Sequence, residues 1–143
     1  MDIISARQFK KRLVDLFVRS RQESLPKKPQ DRHILLNSIA MGMEAGQDYT
    51  EREINAVIQG CMMMVGRDMH VDVFSFRREL VDRGYLERDK RGTRYRVCET
   101  SPGYRLFESG VNDMDVVTVV EDGRAMIEAR KQAFLKQEAQ VEA

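Results

Sequence analysis

The sequence predicts a mainly α-helical fold with one small β-hairpin: a winged helix-turn-helix core with a flanking helix at each end. Three observations carry this expectation. Residues 50–59 and 72–83 read as two short helices, the second stopped by Gly84. Residues 85–97 then fold back around Asp89-Lys90-Arg91-Gly92, with apolar and basic side chains alternating on either side. Two helices followed by an arginine-rich hairpin is the element order of a winged helix, a fold most often used to hold nucleic acid.

At 143 residues, 42% hydrophobic and 33% charged, the chain suits one domain with a proper core. Its longest apolar run is far shorter than a membrane span, and Met1-Asp2-Ile3-Ile4 lacks the basic start of a signal peptide. Two cysteines, Cys61 and Cys98, make no disulfide framework, so the expectation is a cytoplasmic protein with reduced thiols. Net charge is only +1, but it is unevenly spread. Residues 1–30 hold eight basic against three acidic residues, and residues 67–97 nine against six. Residues 31–66 hold two against five, and residues 98–143 five against nine. Positive charge therefore gathers in the N-terminal arm and the helix-plus-hairpin, as an electrostatic footprint requires, although solvated helix faces produce the same pattern.

The elements follow in order. Ser5 with Gln8 forms a capping-box pattern, and Phe9, Leu13, Leu16 and Phe17 recur at helical spacing, so an amphipathic helix starts near Ala6 and ends by Ser24. Leu25-Pro26-Lys27-Lys28-Pro29 cannot continue it and reads as a linker. Asp31 caps a second helix through about Glu44, with Ile34, Leu35, Ile39 and Met43 inside. Thr50 and Glu53 form the strongest start signal in the chain, followed by an inner stripe of Ile54, Val57, Ile58 and Cys61. Residues 62–66 fray into a loop before Asp72 caps the next helix. That helix turns Val73, Phe76, Leu80 and Val81 to one side and Ser75, Arg78, Glu79 and Asp82 to the other. In the hairpin Tyr95 and Val97 share one face, Arg94 and Arg96 the other. A long C-terminal helix over residues 113–138 carries the stripe Val116, Val120, Ile127 and Phe134. Its β-branched start also fits a strand, and Gly123 weakens the helix by ~1 kcal/mol. The domain reading is an arm at 1–25, a winged-helix-like domain at 26–97, and a linker with the C-terminal helix at 98–143.

Three segments carry a family resemblance: Tyr49-Thr50-Glu51-Arg52-Glu53-Ile54-Asn55, then Phe76-Arg77-Arg78-Glu79-Leu80-Val81-Asp82-Arg83-Gly84-Tyr85-Leu86-Glu87-Arg88, then Gly92-Thr93-Arg94-Tyr95. Together they resemble a bacterial winged-helix-like domain of unknown function, found alone or fused behind ArsR-type helix-turn-helix domains. The likeness covers residues 26–97, with the paired arginines before Glu-Leu-Val-Asp as its most specific part. It implies the fold and a transcription-regulatory setting. No ArsR-like segment precedes the domain here, and the Met-rich stretch between Cys61 and Val71 is longer than the family's usual one.

The chemistry expected is binding. Arg88, Lys90, Arg91, Arg94 and Arg96 of the hairpin can contact phosphates, whose counterions are released on binding. The bland counter-reading is a soluble charged hairpin partly neutralised by Glu87 and Asp89. Arg78 is the one basic residue on the outward face of the 72–83 helix. It can reach a base edge or simply pair with Asp82 at i,i+4. Arg77 is expected to lay its stem along the core and pair its head. Cys61, Met62, Met63, Met64, Met69 and His70 are soft donors, yet they lack paired metal-ligand spacing, so no metal or cofactor is expected. His33 and His70 stand alone and no phosphate loop occurs, which argues against an enzyme. The leading expectation is a homodimeric, duplex DNA-binding accessory or transcription-regulatory protein, not a membrane binder. The alternative is an interaction module whose partner is a protein.

Overall fold

The structure, a computed structural model, describes residues 2–19, 25–64 and 72–142. Among them run five α-helices and three short strands: α1 (Ala6–Val14), α2 (Pro29–Ala40), β1 (Tyr49–Thr50), α3 (Glu51–Met64), α4 (Val73–Asp82), β2 (Leu86–Arg88), β3 (Arg94–Val97) and α5 (Val116–Glu142). The protein is mainly helical with a small antiparallel sheet in the order β1-β3-β2. No helix among the described residues is long and apolar enough to cross a membrane.

The predicted start of α1 is present: Ser5 Oγ accepts the Gln8 amide at 3.1 Å, and Glu108 accepts that of Ala6 at 3.0 Å. The segment before α1 is pinned as well, because Ile4 bridges Phe107 in parallel and exchanges backbone hydrogen bonds with Leu106 and Glu108. A wider π-type turn (Asp15–Arg19) follows α1, and the adjacent Leu16 and Phe17 are both buried there. The expected end of this helix, at Ser24, lies outside the described residues.

Helix α2 corrects the sequence reading at both ends. Pro29 occupies its first turn, where a fixed φ and a missing N–H fit a helix start, so Asp31 lies inside the helix rather than capping it. Asp31 is buried and receives two hydrogen bonds from the Arg12 guanidinium, at 3.0 and 2.9 Å. The helix stops at Ala40, short of Glu44, and Gly46 adopts φ +81 in the turns beyond. All of residues 34–40 are buried, because α1, α3 and α4 each pack against this central helix.

Thr50 and Glu53 make the reciprocal capping box that the sequence predicts: the Thr50 amide donates to Glu53 Oε1 at 3.0 Å, and the Glu53 amide to Thr50 Oγ1 at 3.1 Å. Two features were not anticipated. Tyr49 and Thr50 form a strand that pairs with Tyr95 and Arg94, and α3 continues through Met64 where a frayed loop was expected. Cys61 and Met62 pack against the core, which holds the last turns in helical form. Met69 and His70 lie outside the described residues.

Asp72 caps α4 through the Ser75 amide at 2.8 Å, and Gly84 leaves the helix at φ +82. Glu79, expected to face outward, instead is half-buried between Arg32 of α2 and Arg83, each at 3.2 Å. The inner stripes predicted for α3 and α4 meet in one core. Ile54, Leu80 and Leu86 are buried in one cluster, and Val57 and Val81 pack against it. Ile4, Phe9, Leu13, Phe17 and Val120 join that same cluster.

The β-branched run at residues 116–120 is helical, not a strand, and α5 runs from Val116 to Glu142 rather than 113–138. The Asp115 carboxylate receives the Thr118 amide at 3.3 Å at its start. Val120 is fully buried, but every residue from 128 to 141 is exposed, including Phe134 of the expected stripe.

Candidate nucleic-acid interface

The hairpin is built by its turn. Asp89 accepts the Thr93 amide at 2.8 Å and the Thr93 hydroxyl at 3.0 Å, while its own carbonyl takes the Gly92 amide. Gly92 sits at φ +70, a conformation in which a side chain would be strained. The Thr93 amide above all holds the Asp89 carboxyl below its ordinary value. The acid therefore organises the loop that lifts Lys90 and Arg91 to an exposed tip.

Strand register sorts the remaining basic residues. Glu87 pairs with Arg96 and Thr50 with Arg94, so Arg94 and Arg96 share the outer face with them, as alternation predicts. Arg88 pairs with Tyr95 and so lies on the opposite face, its guanidinium in van der Waals reach of a Cβ placed at Gly92. Arg96 donates from Nε to Asp48 Oδ1 at 2.8 Å, and this bond chiefly raises its pKa, with Glu87 and Glu99 adding to it. Arg78 on α4 is 84% exposed and stands 3.7 Å from Asp82, a loose pair. Among the described residues ion pairs engage Arg78 and Arg96, while none engages Arg88, Lys90, Arg91 or Arg94. The six candidates thus divide into one tied arginine, one loosely paired arginine on another element, and four unpaired cations around the turn.

Arg77 behaves as its helical position implies. Its Nη1 donates to Asn55 Oδ1 at 2.6 Å, its Nη2 meets Glu51 at 3.0 Å, and its guanidinium lies 5.0 Å from the Phe74 ring centre. Sequence reasoning missed the surface next to it. A shallow cleft of about 640 Å³ runs between α3 and the hairpin turn, lined by Arg52, Asn55, Gln59 and Thr93 among others. The legible signal was that Arg52, Asn55 and Gln59 recur at i, i+3 and i+7, a polar stripe beside the apolar one. A second cleft of about 600 Å³ lies between α2, α3 and the start of α5. It is bordered by Cys61, whose thiol burial pushes up to about 11, so it stays protonated at neutral pH.

Fold and surface define a mainly helical domain with a three-stranded sheet whose β2–β3 hairpin exposes Arg88, Lys90, Arg91 and Arg94, none of them in an ion pair among the described residues, although Arg94 acts at longer range on Glu53. The chain belongs to a family of uncharacterized proteins conserved in bacteria (DUF2087), whose sequence model matches residues 21–97. That span ends with β3 and covers α2, α3, α4 and the whole sheet. No curated protein and no solved structure matches the chain.

Proposed function

We propose that this protein is a winged helix-turn-helix factor, an accessory or regulator of transcription, that grips duplex DNA by its phosphates through the β2–β3 turn. The fold part of the reading is supported by the order α2-β1-α3-α4-β2-β3, with β3 as the middle strand of the sheet. The observation that carries the binding part is the set Arg88, Lys90, Arg91 and Arg94, exposed and without ion pairs among the described residues. Arginine forks and a lysine point charge suit phosphate oxygens, and such contacts confer affinity without reading sequence. The cleft bearing Arg52, Asn55 and Gln59 borders the same turn and extends the polar surface toward α3.

The test is fluorescence anisotropy against random-sequence duplex DNA at two salt concentrations. The logarithm of the affinity should fall linearly with the logarithm of salt. Replacing Lys90, Arg91 and Arg94 by Ala should weaken all sequences alike and lower the slope by ~1 per lost phosphate contact. Arg96→Ala should change it least, since Asp48 already holds that side chain. Arg78→Ala alters sequence preference only if α4 enters the major groove. Absence of salt-dependent affinity at low ionic strength sinks this reading.

One observation favours a protein-interaction module in that event. The outward side of α4 presents exposed Phe74 beside the Arg78–Asp82 pair, a mixed apolar and neutralised face better suited to protein than to phosphate.

A further inference from the structure

Helix α5 carries a seam that its own chain covers only at one end. Val120, Ile127, Phe134 and Val141 recur at strict seven-residue spacing, which keeps them on one stripe that drifts by about 20° per repeat. The stripe emerges from the core as it runs: Val120 is fully buried and Ile127 half-buried, whereas Phe134 is 59% and Val141 84% exposed. Leu135 is exposed beside them. The fourteen residues 128–141 extend about 20 Å at helical rise, exposed throughout. A helical stretch of that length is marginal in water unless an apolar face is packed.

The same molecule offers a place to pack it. Between α1 and the buried half of α5 lies a groove of about 650 Å³, floored by Val14, Val119, Gly123, Met126 and Ile127. Lys10, Lys11, Arg19 and Arg130 outnumber Asp15 and Asp122 in its lining. On the seam side of the distal half, Lys131 sits one turn before Phe134 and Glu138 one turn after it, whereas Lys136 points to the other side of the helix, so the acid lies on the stretch beyond Phe134. The floor of the groove includes Ile127 of the seam itself, so groove and distal half are consecutive stretches of one stripe.

We infer that two copies of this chain associate with their α5 helices antiparallel, the distal half of each seated in the α1–α5 groove of the other. Phe134 and Leu135 then meet Met126, Ile127 and Val14 of the second copy, and Glu138 meets the basic rim. The arrangement is a closed two-fold in which each copy gives a helix and receives one, so a short helical face is buried twice. It leaves the β2–β3 turn unused and does not depend on the phosphate reading.

The experiment is sedimentation equilibrium on the full chain across micromolar concentrations. Wild type should be a dimer. Phe134→Glu with Leu135→Glu should weaken dimerisation at least tenfold, and circular dichroism should lose no more than the helicity of the distal half of α5, since both side chains are exposed in the single chain. Glu138→Lys alone, and Lys10→Glu with Lys11→Glu alone, should each weaken self-association, and mixing the two variants should restore a heterodimer. A monomeric wild type, or a dimer that survives the Phe134 and Leu135 changes, overturns the inference. A charge-swapped pair that fails to associate overturns the antiparallel seating.

Discussion

Val14 of α1 lies directly over Gly123 of α5. A Cβ built on Gly123 would stand 2.7 Å from Val14 Cγ1 and closer still to Cγ2, well inside any real carbon contact. The two helices approach this closely only because position 123 has no side chain. Gly123→Ala should therefore destabilise the protein by about 1–3 kcal/mol, overriding the ~1 kcal/mol that alanine gains in helix propensity. Urea unfolding reads the difference, and the double variant with Val14→Ala should recover part of it. A more stable single variant would show that the contact is not tight.

Arg12 holds Asp31 in a two-pronged grip across nineteen residues, and Asp31 is buried while Arg12 keeps contact with water. The Asp31 contact is also the main cause of the rise in the Arg12 pKa. Arg12→Ala strips a buried carboxylate of its charged partner, and stability should fall by about 1–3 kcal/mol. Arg12→Lys should restore only a fraction, because an ammonium cannot supply the planar fork. Equal stability of the lysine variant and wild type would remove the geometric part of the argument.

His33 packs against Tyr85. The Tyr85 hydroxyl donates to the His33 carbonyl at 3.1 Å, which leaves its oxygen to accept from Nδ1–H at 2.9 Å. Burial lowers the His33 pKa, and the positive charges of Arg83, Arg105 and Arg32 push in the same direction. The folded form then binds the proton less readily than the unfolded chain, whose value is 6.5. Above 6.5 neither state is protonated by this group and its contribution is fully present. As pH falls below 6.5 the unfolded chain takes up the proton first, and stability is lost until the folded pKa is passed. The urea midpoint of wild type should drop below that of His33→Gln, relative to neutral pH, over this acidic range. Parallel midpoints in the two proteins would assign the pH dependence to other groups.

Much of the fold was legible in the sequence because its causes are local. The Ser5–Gln8 and Thr50–Glu53 caps, the Asp72 cap and the Gly84 stop each act within about one helical turn, so residue type and spacing suffice to find them. The alternation of Tyr95 and Val97 against Arg94 and Arg96 belongs to the same kind, since strand geometry alone sets it. The end of α3 was misread for the converse reason. Its last turns rest on packing of Cys61 and Met62, which spacing does not reveal.

Partnership over long sequence separations was decided by the tertiary structure. A strand as short as Tyr49–Thr50 carries no readable period, and only its pairing with β3 makes it one. Nothing near Asp48 in the chain marks it as the residue that ties Arg96, forty-eight positions away. The hairpin's cations read alike in the sequence, and their division into tied and unpaired groups follows from how the strands register and what folds beside them. Gly123 makes the same point from the other side. By propensity it argues against a helix, yet in the fold it is where α1 and α5 come closest, because a backbone approach depends on what lies opposite rather than on neighbours in sequence.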